Sequence, residues 1–67
     1  MIKQIIGENA GLIWLLINEN GEMPLDNLLN ISNLNEADFY MSLGWLAREN
    51  KIAFFEEKGK QKVYLVY

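Results

Sequence analysis

No cysteine and no histidine occur in these 67 residues, and proline appears once. Without cysteine there are no disulfides, and without cysteine or histidine the ligand sets of zinc fingers are excluded. The same absences remove the groups on which many nucleophilic and general acid–base sites are built. Phosphate-binding loops are missing too, because Gly7 and Gly11 follow no strand and lack a Lys-Ser/Thr pair. Glu56 and Glu57 are neighbours on a strand-like stretch, so they face opposite sides and cannot work as a carboxylate pair. Long apolar runs are absent. The longest, Leu12 to Ile17, falls far short of the ~20 residues a membrane span needs, and Glu8 and Asn9 interrupt any leader-like run after Lys3. The expectation is a soluble, cytoplasmic, non-enzymatic chain with no cofactor, no metal and no small-molecule substrate.

What is present is apolar surface, at 51% of the residues. A chain this short makes one domain, residues 1–67, and buries only ~60% of its unfolded surface. Domains of this size usually gain stability from disulfides, metals or a partner chain, and only the partner remains here. The net charge of −3 is unevenly spread. Residues 1–47 carry a net −5 and residues 48–67 a net +2, so an acidic body leads into a mildly basic end. The longest legible unit is Asn35 to Ile52.

The first helix is expected from Ile2 to Glu19. Ile2, Ile6, Ala10, Ile13, Leu16 and Ile17 share its inner face, with Ile5 and Leu12 at the edge and Gln4, Glu8 and Glu19 opposite. Trp14 and Leu15 fall outside that stripe, so the apolar arc is wider than a small monomer needs. Gly7 and Gly11 weaken the helix by ~1 kcal/mol each relative to Ala; their spacing is either accidental or a site of close packing. Asn20-Gly21 ends the helix. A two- or three-residue strand fits at Glu22-Met23, and Pro24 suits the start of a short helix carrying Leu25, Leu28 and Leu29. Ile31 to Leu34 reads as a turn with Ile31 and Leu34 tucked inward. Asn35 then caps a helix, with Asp38 three residues later, and Phe39, Leu43 and Leu46 centre its inner face. Asn50 can take the left-handed cap. Ile52–Glu57 and Lys60–Tyr67 form a hairpin about Lys58-Gly59, pairing Phe54 with Val63 and Ile52 with Leu65 on the core face. Glu57 with Lys60, Phe55 with Lys62 and Ala53 with Tyr64 pair on the other.

Helix, short strand, helix, turn, helix and hairpin in this order are the mostly helical α+β arrangement of a winged helix-turn-helix. The runs IGENAGLIWLLINENGE, YMSLGWLARENKI and FFEEKGKQKVYLV resemble a group of short bacterial winged helix-turn-helix proteins of unknown function. The likeness covers nearly the whole chain, and GWLARE ahead of Asn50 and Lys51-Ile52 is its most specific part. Asn50 stands where that group tends to have Gly, and Leu12 and Leu15 where it often has polar residues. The resemblance implies a winged-helix fold and a homodimer, and supplies no functional residues.

Two binding readings follow. In a helix-turn-helix the second helix reads the major groove with its N-terminal residues, and affinity comes mainly from Lys and Arg on phosphates. Here the first turn offers Glu36, Ala37 and Asp38, and the outward arc is Met41, Gly44, Trp45 and Arg48. Arg48 and the hairpin-tip Lys58, Lys60 and Lys62 are the candidate nucleic-acid contacts; the plainer reading of the tip is a solvated edge with a Glu57–Lys60 surface pair. A protein interface fits the chemistry better. Tyr40, Met41 and Trp45 beside Gly44 have interface-core composition, the competing explanation being that the first helix or the wing covers Trp45 or Tyr40; Trp14, Leu15, Phe55 and Tyr64 add apolar area. Self-association into a homodimer leads, another protein partner stays open, and DNA is the alternative.

Overall fold

The computed structural model describes residues 2–66, in the order α1 (Ile2–Asn20), β1 (Met23–Pro24), α2 (Leu25–Ser32), α3 (Glu36–Arg48), β2 (Ile52–Glu57) and β3 (Lys60–Leu65). Tyr67, placed by the sequence at the end of the last strand, lies outside the described residues.

Each helix stops where the backbone turns left-handed. Gly21 (φ 79°) follows α1, and its N–H donates to the Ile17 carbonyl at 2.7 Å. Asn33 (φ 59°) ends α2, one of the few non-glycine residue types that visits this region readily. Asn50 (φ 59°) follows α3, where the Asn50 and Lys51 N–H groups donate to the Ala47 and Leu46 carbonyls, both at 3.1 Å. Those paired bonds are the Schellman arrangement. At the other end of α3, Asn35 Oδ1 accepts the Asp38 N–H at 2.9 Å while Asn35 Nδ2 donates to the Asp38 carboxylate at 3.1 Å. Asp38 therefore closes the cap through the Asn35 side chain.

The sheet has the order β1-β3-β2, with both pairings antiparallel. The hairpin register is the expected one, from Ile52 opposite Leu65 to Glu57 opposite Lys60. Lys58 (φ 53°) and Gly59 (φ 79°) both adopt positive φ, as a two-residue type I′ turn demands. Met23 opposite Val63 and Pro24 opposite Lys62 add the short strand and make β3 central. Val63, fully buried, joins Ala10, Ile13, Ile17, Met23, Leu28, Phe39, Leu43, Leu46 and Ile52 in the core. α3 packs chiefly against α1.

Several expected inward positions are not inward. Ile2 is 70% exposed and Ile6 only half-buried, because the N-terminal turns of α1 run past the core. Trp14, by contrast, is half-buried and packs against it. Ile31 lies in the last turn of α2 and is exposed, while Leu34 does pack inward. Phe54 has the expected partner but is 42% exposed, since β2 is an edge strand and the core ends beneath Val63. Two serines are buried instead. Ser32 Oγ donates to the Leu29 carbonyl at 2.8 Å and accepts the Leu34 N–H at 3.2 Å. Ser42 Oγ, in a residue of zero exposure, has no hydrogen-bond partner among the described residues.

Candidate interaction surfaces

The residues singled out in the sequence fall on three separate surfaces. The first lies between α1 and α3, which pack against each other. Trp14 from α1 and Trp45 and Leu46 from α3 line an open groove of about 390 Å³ together with Gly7, Ala10 and Gly11. Glu49 and Lys51 also line it. Sequence length gave little reason to expect a depression of this size. A Cβ added at Gly7 or Gly11 would meet nothing within 4 Å among the described residues, so none of them packs there. The glycine pair opens the groove rather than drawing two elements of this fold together.

The second surface is the outward side of α3, with Met41 46% exposed and Gly44 and Arg48 exposed beside it. At ~100° per residue, Tyr40 and Trp45 lie roughly 140° apart around the helix. Trp45 therefore belongs to the α1 groove. Tyr40 turns toward the wing, packing edge-on to Phe39 at 5.0 Å between centroids and lining a shallow depression with Gly59 and Lys60. The apolar cluster read from sequence as one patch is split between two sides, with Met41 and Gly44 between them. Nothing packs where a Gly44 Cβ would stand.

The third surface is the outer face of the wing. Phe55 and Tyr64, diagonal neighbours across β2 and β3, make an edge-to-face contact at 5.8 Å. The tip carries less unpaired positive charge than its lysine count suggests. Lys62 Nζ donates to Glu57 Oε1 at 2.6 Å, so Glu57 bonds diagonally to Lys62 and not to the directly opposite Lys60. The bond to Glu57 raises the Lys62 pKa above the usual lysine value, with the fields of Glu57 and Glu22 acting the same way against partial desolvation. Lys58 and Lys60 are exposed and have no ion pair among the described residues. On α3, the Asn35 amide and the Asp38 carboxylate are held in the cap, leaving Glu36 at the end that would meet DNA.

Leu15 lies on none of these surfaces and is 53% exposed on α1. Among the described residues, no cluster of three or more Asp and Glu is placed to hold a metal, and no helix is long and apolar enough to cross a membrane.

The sequence pattern of the winged helix-turn-helix domain DUF2582 matches residues 1–65. An uncharacterized protein of Methanocaldococcus jannaschii, MJ1608, is 38% identical over 63 residues, covering 90% of this chain and 89% of the relative. The solution NMR structure of protein BT2368 from Bacteroides thetaiotaomicron superposes with a TM-score of 0.84 at 35% identity, covering 97% of this chain and 79% of that one.

Proposed function

The chain belongs to the winged helix-turn-helix domain family DUF2582, and from that premise we propose that this protein is a cytoplasmic, non-enzymatic binding module that pairs with a second copy of itself and acts through protein contact. One observation carries the reading. Eleven large hydrophobic side chains are exposed among the described residues, against ten buried hydrophobics in the core. Scattered apolar residues on a surface need no explanation. Exposed apolar side chains gathered on one face, as Ile2, Ile5 and Leu12 are on α1, are the usual mark of an interaction surface.

DNA reading is the second hypothesis, supported by the placement of α3 behind α2. Against it stand the acidic first turn of α3 and the Lys62–Glu57 pair, which leave Lys58, Lys60 and Arg48 unpaired among the four candidate contacts. A duplex-DNA titration separates the two readings. At ~50 mM salt, where a few phosphate contacts are near their strongest, no binding is expected. Saturable binding, with a log–log salt slope of roughly −2 to −3 from two or three phosphate contacts, would overturn the preference for protein contact.

A further inference from the structure

The inward face of α1 is not its only apolar stripe. Ala10, Ile13 and Ile17 enter the core, and beside them runs a second line, Ile2, Ile5, Asn9, Leu12 and Leu16. Its spacing alternates three and four residues, the a/d pattern of two successive heptads. Ile2 is 70% exposed, Ile5 47% and Leu12 39%, while Asn9 and Leu16 are half-buried. The fold thus leaves most of this line in solvent.

We infer that this line is a self-complementary seam, through which two copies of the chain pair with their α1 helices side by side and parallel. The inference rests on the dimer reading above and names its surface.

The occupant follows from the side chains. From Ile2 to Leu16 the seam carries no charge, although the chain as a whole has a net −3. A charged partner face would lose solvation there with nothing to compensate it. Asn9, at the centre, has no side-chain hydrogen bond among the described residues. In a parallel two-fold pair every seam residue meets its own counterpart. Each Asn9 carboxamide then has a donor and an acceptor opposite, the arrangement by which one buried Asn in an a position fixes register and dimeric state. An antiparallel pair sets a against d, so Asn9 faces Leu12 and loses that partner.

Packing also favours the parallel orientation. The core of each domain lies on one flank of its seam, at Ile6 and Ile13. A two-fold axis along the helices places the two domain bodies on opposite sides, whereas an antiparallel pair crowds both onto one side. Glu19, the next d position, sets a boundary, because in a parallel pair the two Glu19 carboxylates approach each other. The seam therefore ends at Leu16. Leu15, beside it and exposed, reaches toward the partner's flank. Four apolar layers and one Asn layer make a small interface, of the class below ~1,200 Å² that gives weak and reversible dimers.

The test combines sedimentation of the whole chain with cysteine cross-linking, which the absence of native cysteine makes clean. Wild-type protein is expected to dimerise with rising concentration. Ile5→Asp or Leu12→Asp should weaken association about ten-fold or more, since each puts two facing carboxylates into the seam. Both sites are exposed, so both variants should keep the wild-type circular dichroism. Ile5→Cys should oxidise to a disulfide-linked dimer and Gln4→Cys, off the seam, should not. In an antiparallel pair the two Ile5 positions stand roughly 16 Å apart at 1.5 Å per residue, too far to bridge. A wild-type dimer untouched by either Asp variant overturns the seam and leaves self-association standing on another surface. Asp-sensitive association without Ile5→Cys cross-linking overturns the parallel orientation. A monomer at high micromolar concentration overturns both the seam and the dimer.

Discussion

Removing the same hydroxyl from two buried serines should have opposite effects. Ser42 is fully buried in the middle of α3, and its Oγ has no hydrogen-bond partner among the described residues. An unpaired buried hydroxyl costs about 1–3 kcal/mol in mutational terms, and Ala is the better helix former by a few tenths of a kcal/mol. Ser42→Ala removes one oxygen, adds no volume and should stabilise the fold by about 1–3 kcal/mol. For a domain this size, each kcal/mol is worth ~4–8 °C in Tm. Ser32 is 5% exposed, but its Oγ bonds the Leu29 carbonyl and the Leu34 N–H at the junction between α2 and α3. Ser32→Ala leaves that part-buried N–H unpaired and should destabilise by ~1–2 kcal/mol. Thermal and urea unfolding of both variants, at one fixed protein concentration because association is linked to stability, reads the two signs directly. A destabilised Ser42→Ala, or equal shifts for both variants, would refute the reasoning and mean that Ser42 Oγ is satisfied in solution.

Gly44→Ala should raise stability by ~1 kcal/mol through helix propensity alone, because an added Cβ meets nothing within 4 Å; unfolding in denaturant measures it, and a loss of stability would place a contact against that face of α3. The Lys62–Glu57 bond predicts a pH effect at the alkaline end. Because the folded pKa of Lys62 is raised above 10.5, the pair's contribution is fully present below that value and is lost as pH rises through the folded pKa. Melting curves of wild type and Glu57→Gln should therefore converge at strongly alkaline pH, and a gap that stays constant there would contradict the assignment. The DNA titration adds its own expectation of no binding at low salt.

The parts of the fold that could be read from sequence are those governed by local backbone chemistry. Lys58-Gly59 set the hairpin register correctly in all five expected pairs because a two-residue turn leaves little freedom in how the strands meet. Asn35 and Asn50 marked both ends of α3 for the same reason: each supplies a cap that few residue types can. Depth was harder to read. Phe54 sits in the right register, yet an alternating pattern does not say where an edge strand outruns its core. Lys62, not Lys60, takes Glu57, because a long side chain reaches diagonally as easily as straight across.

The candidate surfaces show the same division. Trp14 and Trp45 were legible as apolar positions in excess of the core, but only the packing of α1 on α3 brings them to one groove. Tyr40, five residues from Trp45, went with the wing. The second stripe on α1 is written in the sequence at heptad spacing. Leu16 borders both it and the inner face, and the exposures of Ile2, Ile5 and Leu12 separate the two.

The account stands on self-association, and sedimentation velocity of the wild-type chain across a wide concentration range tests it most directly. It predicts a shift from monomer toward dimer through the micromolar range, reversed by Leu12→Asp in a protein with unchanged circular dichroism. A single monomeric species at high micromolar concentration would contradict it.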